Sequence, residues 1–156
     1  MPTWQNRLIT GVVESGFKRG RTLGFPTANV ALTAGAEPPH GVYAVFCRLM
    51  PDRALSGVAN VGIRPTLGLT IPLLEVHLFD FCEDIYGHRL ETRLVRRLRD
   101  ERKFGGLDEL KRQLEEDALR ARTILLGNLP GRAEFGEPST PAPDFKSVSM
   151  LGAPGI

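Results

Sequence analysis

The chain has 156 residues, two cysteines and a formal net charge of +2. This length fits one domain with a buried core, and so mild a charge does not predict nucleic-acid binding, which usually requires a strongly basic domain. Because the cysteines lack metal-binding spacing and no apolar run is long enough to span a bilayer, we expect a reduced, cytoplasmic protein with no membrane partner.

The chain up to about Val95 has the pattern of a β protein, in which short apolar or alternating runs are separated by Gly, Pro and Asn. Six strands are predicted: Leu8–Ser15, Ala28–Leu32, Gly41–Leu49, Leu55–Val61, Leu73–Phe81 and Leu90–Leu98. In the fifth, Leu74 falls on the predicted core face and Glu75 on the opposite face. We expect Thr33–His40 and Gly62–Pro72 to be loops, and the second is long enough to cover a site.

One amphipathic helix is predicted between Gly106 and Gly127. Its apolar stripe consists of Leu107, Leu110, Leu114, Ala118, Ala121 and Leu125. One helix after about six strands predicts a mainly β fold, a small closed or nearly closed barrel with the helix against one opening. Residues 130–156 are rich in Pro, Gly, Ser and Ala and predict a mobile tail, which leaves 1–129 as the domain.

The strongest functional signal is Pro26-Thr27-Ala28-Asn29, which follows a basic, glycine-bearing loop. Residues two apart in extended backbone point to the same side, so the side-chain oxygens of Thr27 and Asn29 can converge on one point. Two neutral oxygens suit a Mg²⁺ ion that takes its negative ligands from nucleotide phosphates. The segment alone also fits a strand entry with polar caps, so this pattern leaves both interpretations open.

The preceding loop contains Gly16, Gly20 and Arg21. Glycines let backbone amides approach phosphates, and an arginine adds a direct contact. A plain hairpin turn with a solvated basic surface explains the same residues. Neither GxxxxGK[ST] nor GxGxxG is present, so a kinase here would not use either of those nucleotide-binding motifs.

Three further segments accompany this motif in order: Asn60-Val-Gly-Ile-Arg-Pro-Thr66, Glu75–Asp80 followed by Ile85-Tyr86-Gly87, and Leu98–Phe104 before the helix. Together the four segments resemble riboflavin kinases, and more narrowly the C-terminal kinase module of bacterial bifunctional riboflavin kinase/FAD synthetases. The resemblance extends from Leu8 to Leu126. It implies a six-stranded antiparallel barrel of Greek-key or split type with a C-terminal helix, and the conversion of riboflavin and ATP to FMN.

The resemblance also implies residue roles. Thr27 and Asn29 would hold Mg²⁺, and Glu75 would be the general base that takes the proton of the ribityl 5′-hydroxyl. The ATP-binding positions would be Gly16, Gly20, Arg21, Leu78, Asp80 and Tyr86. The flavin-binding positions would be Arg99, Arg102 and Phe104. Leu78 lies on the predicted core face, so its contribution would come through its backbone.

Each residue taken alone has a simpler interpretation. Glu75 fits a solvated carboxylate on an outer strand face, Phe104 a core residue at the helix start, and Arg99 an exposed charge. The chain departs from the family pattern at Lys18, where relatives often have glycine, and at Ile63, where they often have threonine.

No segment resembles the nucleotidyltransferase domain of the bifunctional relatives, so we expect FMN and not FAD as the product. The FAD synthetase domain would then be separate or missing. An alternative is a non-catalytic flavin- or nucleotide-binding barrel with a regulatory role. A weaker one is an RNA-binding barrel that uses Arg93–Arg102, although this stretch lacks the interleaved aromatic residues that stack on bases.

Overall fold

A computed structural model describes residues 6–14, 24–66 and 69–128 of the chain. The described residues form six strands and one long helix. Their bounds are β1 Leu8–Glu14, β2 Ala28–Ala31, β3 Gly41–Leu49, β4 Arg53–Thr66, β5 Leu69–Leu78, β6 Arg89–Arg99 and α1 Leu107–Leu126. The tail predicted for 130–156 lies outside these residues.

The six strands form a closed barrel in the order β1-β2-β5-β4-β3-β6, and every neighbouring pair is antiparallel. Strands β3, β4 and β5 follow one another as hairpins, and β6 returns to pair with β3. This order, 6-3-4-5, is a Greek key. The predicted six-stranded antiparallel barrel with a C-terminal helix is therefore confirmed.

The barrel interior is filled by aliphatic side chains from alternate positions on the strands. Leu74 and Val76 of β5, Val45 of β3 and Leu94 of β6 are all fully buried in it. A six-stranded barrel closed around such side chains has no room for a ligand of nucleotide size. Any substrate site must therefore lie on the outside of the barrel or at its ends.

The helix α1 packs on the outer wall formed by β3, β4 and β6, and not against an opening as the sequence analysis predicted. The reason lies in β3, where eight of nine residues are buried because it is apolar on both faces. Its inward side chains fill the barrel, and its outward side chains Val42, Ala44 and Phe46 form a second core with Ala121 and Leu125 of α1.

The helix begins after Gly106 and ends before Gly127, as predicted. Its apolar stripe is buried only toward the C-terminal end, whereas Leu107 at the start is 59% exposed. The stripe also contains a residue that the pattern did not include, since Asp117 is 1% exposed.

The prediction of a loop at Gly62–Pro72 is wrong. Strands β4 and β5 continue through this stretch as a hairpin that pairs to Thr66 and Leu69. Beyond Val61, β4 has no pairing with β3, and β5 pairs with β2 only from Leu73 onward. The hairpin is thus a two-stranded arm whose outer edges need no ladder partners, which is why it tolerates the prolines that suggested a loop.

Candidate active site

Glu75 lies on the outer face of the barrel wall, directly between two asparagines. Its Cα pairs with that of Asn29 on β2 and with that of Asn60 on β4. Directly paired residues on antiparallel strands project to the same face, with Cβ atoms about 4.5–5.5 Å apart. The register therefore places a carboxylate between two amides in one row across three strands.

Asn29 is 4% exposed, while Glu75 and Asn60 are half-buried. The Asn60 amide nitrogen donates a hydrogen bond to Glu101 Oε2 at 3.2 Å. The Glu101 carboxylate occupies the space where a Cβ at position 62 would lie, so the glycine there permits this contact. Glu101 thereby orients the Asn60 side chain from the side opposite to Glu75.

Thr27 precedes β2 by one residue and is half-buried. Alternation places it on the same side of the chain as Asn29. The carbonyl oxygen of Pro26 accepts a hydrogen bond from His77 Nδ1 at 2.9 Å, which ties the chain just before Thr27 to β5. Thr27, Asn29 and Glu75 are therefore brought to one region of the outer wall.

A cation in this region would depend on neutral oxygens and on phosphates of a substrate. Among the described residues, no three His, Cys, Asp or Glu side chains come together as a metal site. The amide of Asn29 and the hydroxyl of Thr27 are ligands of the kind that Mg²⁺ accepts when it keeps several waters and phosphate oxygens, and two carboxylates, Glu14 and Glu75, are paired with Asn29 on the neighbouring strands. These residues fit that ion.

Arg99, Arg102 and Phe104 are also brought together. The guanidinium carbons of Arg99 and Arg102 lie 5.9 Å and 5.2 Å from the centre of the Phe104 ring. Val42 pairs with both Asn60 and Arg99, so Arg99 belongs to the same row of paired residues as Glu75. Three strand positions separate β5 from β6, which is half of the way around a barrel of six strands, and Arg99 lies beside α1.

Side chains of α1 hold both arginines. Arg99 makes a bidentate ion pair with Asp117, through Nε to Oδ1 at 2.9 Å and Nη2 to Oδ2 at 2.7 Å. Arg102 donates from Nη1 to Gln113 Oε1 at 2.7 Å, and Gln113 Nε2 donates to Asp117 Oδ1 at 2.9 Å. The helix therefore fixes the two guanidinium groups beside the ring.

The remaining predicted nucleotide positions lie near the end of the barrel where β5 ends and β6 begins. Leu78 is 4% exposed and packs in the interior, so only its backbone can face a ligand. Asp80 has a φ of 53° and accepts hydrogen bonds from Arg122 at 3.2 and 3.3 Å. Tyr86 is 63% exposed in the turn before β6. Gly16, Gly20 and Arg21 lie outside the described residues.

Three residues that the sequence analysis gave no role contribute to this region. Asn60 begins one of the four motifs, but only the strand register places it beside Glu75. His77 was visible as the second polar residue on the outer face of its strand. Asp117 is a buried charge whose partner Arg99 is 18 residues away, and no local pattern reveals such a pair.

The environment of His77 favours its neutral form. The side chain is 3% exposed, and burial, with a smaller effect of the Arg122 charge, lowers its pKa below the usual 6.5. Its ring lies 5.0 Å from that of Phe25 and 5.9 Å from that of Phe79.

A comparison with known protein families shows which family the chain belongs to. The flavokinase family model, described as riboflavin kinase, matches residues 4–125. The chain belongs to the riboflavin kinase family. The resemblance deduced from the four motifs is confirmed, and the matched range includes the whole barrel and nearly all of α1.

Several relatives in this family are similar over the same region. The bifunctional riboflavin kinase/FMN adenylyltransferase of Haemophilus influenzae is 48% identical over 116 residues, which is 74% of this chain and 38% of that protein. Its Escherichia coli K12 counterpart is 46% identical over 73% of this chain and 36% of its own length. The chain thus spans less than two fifths of these relatives.

Two other matches differ in what their names describe. A Bacillus subtilis protein named RNA-binding riboflavin kinase RibR is 42% identical over 70% of this chain and 47% of its own length. A solved structure from Streptococcus pneumoniae, described as a macrolide-efflux protein, superposes with a TM-score of 0.68 at 36% identity, over 75% of this chain and 38% of that one. In the described part of this riboflavin kinase family chain, no helix is long and apolar enough to cross a membrane.

Proposed function

We propose that the chain transfers the γ-phosphate of ATP to the 5′-hydroxyl of riboflavin and so produces FMN. The observation that supports the proposal is the row Asn29–Glu75–Asn60, in which Glu75 is paired directly with Asn29, one of the two predicted metal ligands. Membership of the riboflavin kinase family supports the same reaction.

In this proposal Glu75 accepts the proton of the 5′-hydroxyl as the hydroxyl oxygen attacks the γ-phosphorus. The new bond joins this oxygen to phosphorus, and the bond from phosphorus to the β–γ bridging oxygen breaks, so ADP leaves with its electron pair. Because the transition state of phosphoryl transfer is loose, most of the acceleration comes from positioning and charge stabilisation. A carboxylate is sufficient as base when it lies within hydrogen-bonding distance of the hydroxyl.

Thr27 and Asn29 would hold a Mg²⁺ ion, which supplies positive charge to the phosphate oxygens when it is bound. The chain's own contribution is to keep the Asn29 oxygen next to Glu75 through the β2–β5 ladder, with Thr27 two residues before Asn29. Gly16, Gly20 and Arg21 stay predictions for phosphate contacts, as do the backbone of Leu78 and the side chains of Asp80 and Tyr86 for the rest of the nucleotide.

The flavin ring would bind against Phe104 between the two guanidinium groups. Aromatic and guanidinium faces suit a planar, electron-poor ring. The flavin assignment and the assignment of Glu75 as base are separate predictions, because Glu75 lies on β5 and Arg99 on β6, three strand positions apart in the barrel.

The direct test incubates the protein with riboflavin, ATP and Mg²⁺ and separates FMN from FAD by chromatography. We expect FMN to form only when all three are present. In Glu75→Gln, turnover should fall by about 10²–10⁴-fold, the usual contribution of a general base, while riboflavin still binds. Glu116→Gln, an exposed carboxylate of α1, is the matched control and should retain full activity. Wild-type turnover in Glu75→Gln removes this residue from the mechanism.

The metal assignment has its own test. Thr27→Ala and Asn29→Ala should each require a higher Mg²⁺ concentration for half-maximal activity, because each removes one oxygen ligand. An unchanged Mg²⁺ dependence in both variants refutes the assignment. Quenching of flavin fluorescence without any ATP consumption by the wild type would instead support the non-catalytic binding barrel.

The name of RibR raises RNA as a second ligand, but three of the five arginines between Arg93 and Arg102 have acidic partners. Arg97 is paired with Asp100, Arg99 with Asp117 and Arg102 with Glu109. Arginines neutralised within the fold contribute little to binding of a polyanion. We therefore expect no salt-sensitive shift in an RNA mobility assay, and the absence of a nucleic-acid partner stays a prediction.

A further inference from the structure

His77 is a buried polar side chain that the proposed reaction does not use. It follows Glu75 by two residues on β5 and projects to the same outer face. The ring is packed between the aromatic rings of Phe25 and Phe79. A phenylalanine or leucine would fill such a space without the cost of burying a polar ring.

The hydrogen bond of His77 explains this polar ring. A carbonyl oxygen can only accept, so the contact of 2.9 Å to Pro26 requires the proton on Nδ1. In the neutral ring that burial favours, Nε2 carries a lone pair, and this atom has no hydrogen-bond partner among the described residues. The proton on Nδ1 is held by the carbonyl, and the ring is closed to solvent, which makes His77 unsuitable as a proton shuttle.

The hydrogen bond from His77 to Pro26 lies just outside the ladder between β2 and β5. The ladder between β2 and β5 begins at the pair Ala28–Val76, so Pro26 and Thr27 lie beyond its last registered pair. The carbonyl of Pro26 belongs to the peptide group that contains the Thr27 nitrogen. Fixing this oxygen fixes the plane of that peptide group, and with it the starting direction of the Thr27 side chain.

We infer that His77 is a positioning residue, which holds the Pro26–Thr27 peptide against β5 and so keeps the oxygen of Thr27 beside Asn29 and Glu75. The effect of this residue on catalysis rests on the proposed function, whereas its hydrogen bond to Pro26 does not. Position 77 therefore requires a side chain that donates from the place of Nδ1, and its shape alone is not sufficient.

Two variants at position 77 distinguish the loss of the hydrogen-bond donor from a change in packing. His77→Leu fills the space without a donor, and His77→Asn presents its amide N–H close to the position of Nδ1. We expect His77→Leu to raise the KM for Mg²⁺·ATP by about tenfold, the factor that corresponds to one ordinary hydrogen bond, and to leave riboflavin affinity unchanged. His77→Asn should retain most of the wild-type KM. Val58 is paired with His77 across β4 and β5 and packs in the second core. Val58→Ala is therefore the matched control, which should lower stability without changing this KM.

A ligand-free measurement keeps this inference independent of the proposed function. Amide hydrogen exchange at Thr27–Asn29 should accelerate in His77→Leu and not in His77→Asn, and ¹⁵N NMR of the wild type should show the neutral Nδ1–H tautomer. The Nε2–H tautomer, or equal exchange in both variants, overturns the inference. Failure of the wild type to form FMN refutes the proposed function alone, because the exchange and the tautomer decide the role of His77 without substrate.

Discussion

The buried ion pair between Asp117 and Arg99 predicts a large loss of stability in the variant Asp117→Ala. Asp117 is 1% exposed and accepts three charge-assisted hydrogen bonds from Arg99, together with one from Gln113. Without the carboxylate, the guanidinium of Arg99 stays in a site where its side chain is only 15% exposed. Removing one partner of such a pair is costly because the other charge remains buried without compensation.

The expected magnitude follows from this geometry. Breaking a buried pair typically costs 3–5 kcal/mol, and the lower end, about 3 kcal/mol, applies here because Arg99 is partly exposed. It also keeps a hydrogen bond of 2.9 Å to the carbonyl of Asp100. At roughly 4 °C per kcal/mol for a domain of this size, the midpoint of thermal unfolding should fall by about 12 °C.

Urea denaturation followed by far-ultraviolet circular dichroism measures this free energy of unfolding. Glu116→Ala, the exposed neighbour on α1, is the control and should change stability by less than about 0.5 kcal/mol. The double variant Asp117→Leu/Arg99→Met removes both charges and should recover most of the loss, since an apolar pair can replace a buried ion pair. If Arg99 contacts the flavin, the double variant should not recover riboflavin binding. The same protein would then regain its stability without regaining its affinity for riboflavin.

A loss of less than about 1 kcal/mol in Asp117→Ala, the range of exposed ion pairs, would contradict a buried pair. So would a double variant that loses as much stability as Asp117→Leu and Arg99→Met together, because independent sites are additive and paired ones are not.

Two further predictions concern the buried titratable groups. Burial raises the pKa of Cys47 to about 12, so a thiol reagent at pH 8 should label the exposed Cys82 quickly and Cys47 only after unfolding; labelling of both in the native protein would contradict the buried position. The pKa of His77 is lowered in the folded state, so the unfolded chain takes up the proton first and stability should decline as the pH falls below about 6.5. The urea midpoint of His77→Asn should depend less on pH across this range, and an equal dependence would show that other groups cause it.

The parts of the fold that follow local patterns were predictable. Strand β3 has the predicted bounds because its run of apolar residues is uninterrupted, and α1 lies between the two glycines that were taken as its ends. Strand β5 was predicted to reach Phe81 but ends at Leu78, since Asp80 adopts a positive φ that ordinary strand residues avoid.

The loop prediction at Gly62–Pro72 was wrong because proline is tolerated at the edge of a sheet but not in the middle of one. Pro65 and Pro72 suggested a loop because proline interrupts a central strand, yet within the described residues both lie where the strand has a registered partner on one side only. The position of α1 was predicted wrongly for a related reason. The stripe shows that the helix has an apolar face, but not that β3 has a second apolar face to receive it.

The site was predictable as a set of residues and not as an arrangement. Alternation places Glu75 on the outer face, and the motifs single out Thr27 and Asn29, but their adjacency depends on pairing between strands 46 residues apart in sequence. A shift of one residue in that register would send the paired side chain of β5 into the barrel. No local pattern fixes a register over that distance.

The closed barrel also explains why the candidate site lies on one part of its surface. The interior is filled by aliphatic side chains, and α1 covers the wall of β3, β4 and β6. The outer faces of β1, β2 and β5 lie outside the wall that α1 covers, and β5 carries Glu75. Yet α1 contacts residues of both candidate groups, because Asp117 pairs with Arg99 of β6 and Arg122 lies on the Phe79 ring beside His77 of β5. A helix packed along the wall can therefore support residues that follow or end two different strands.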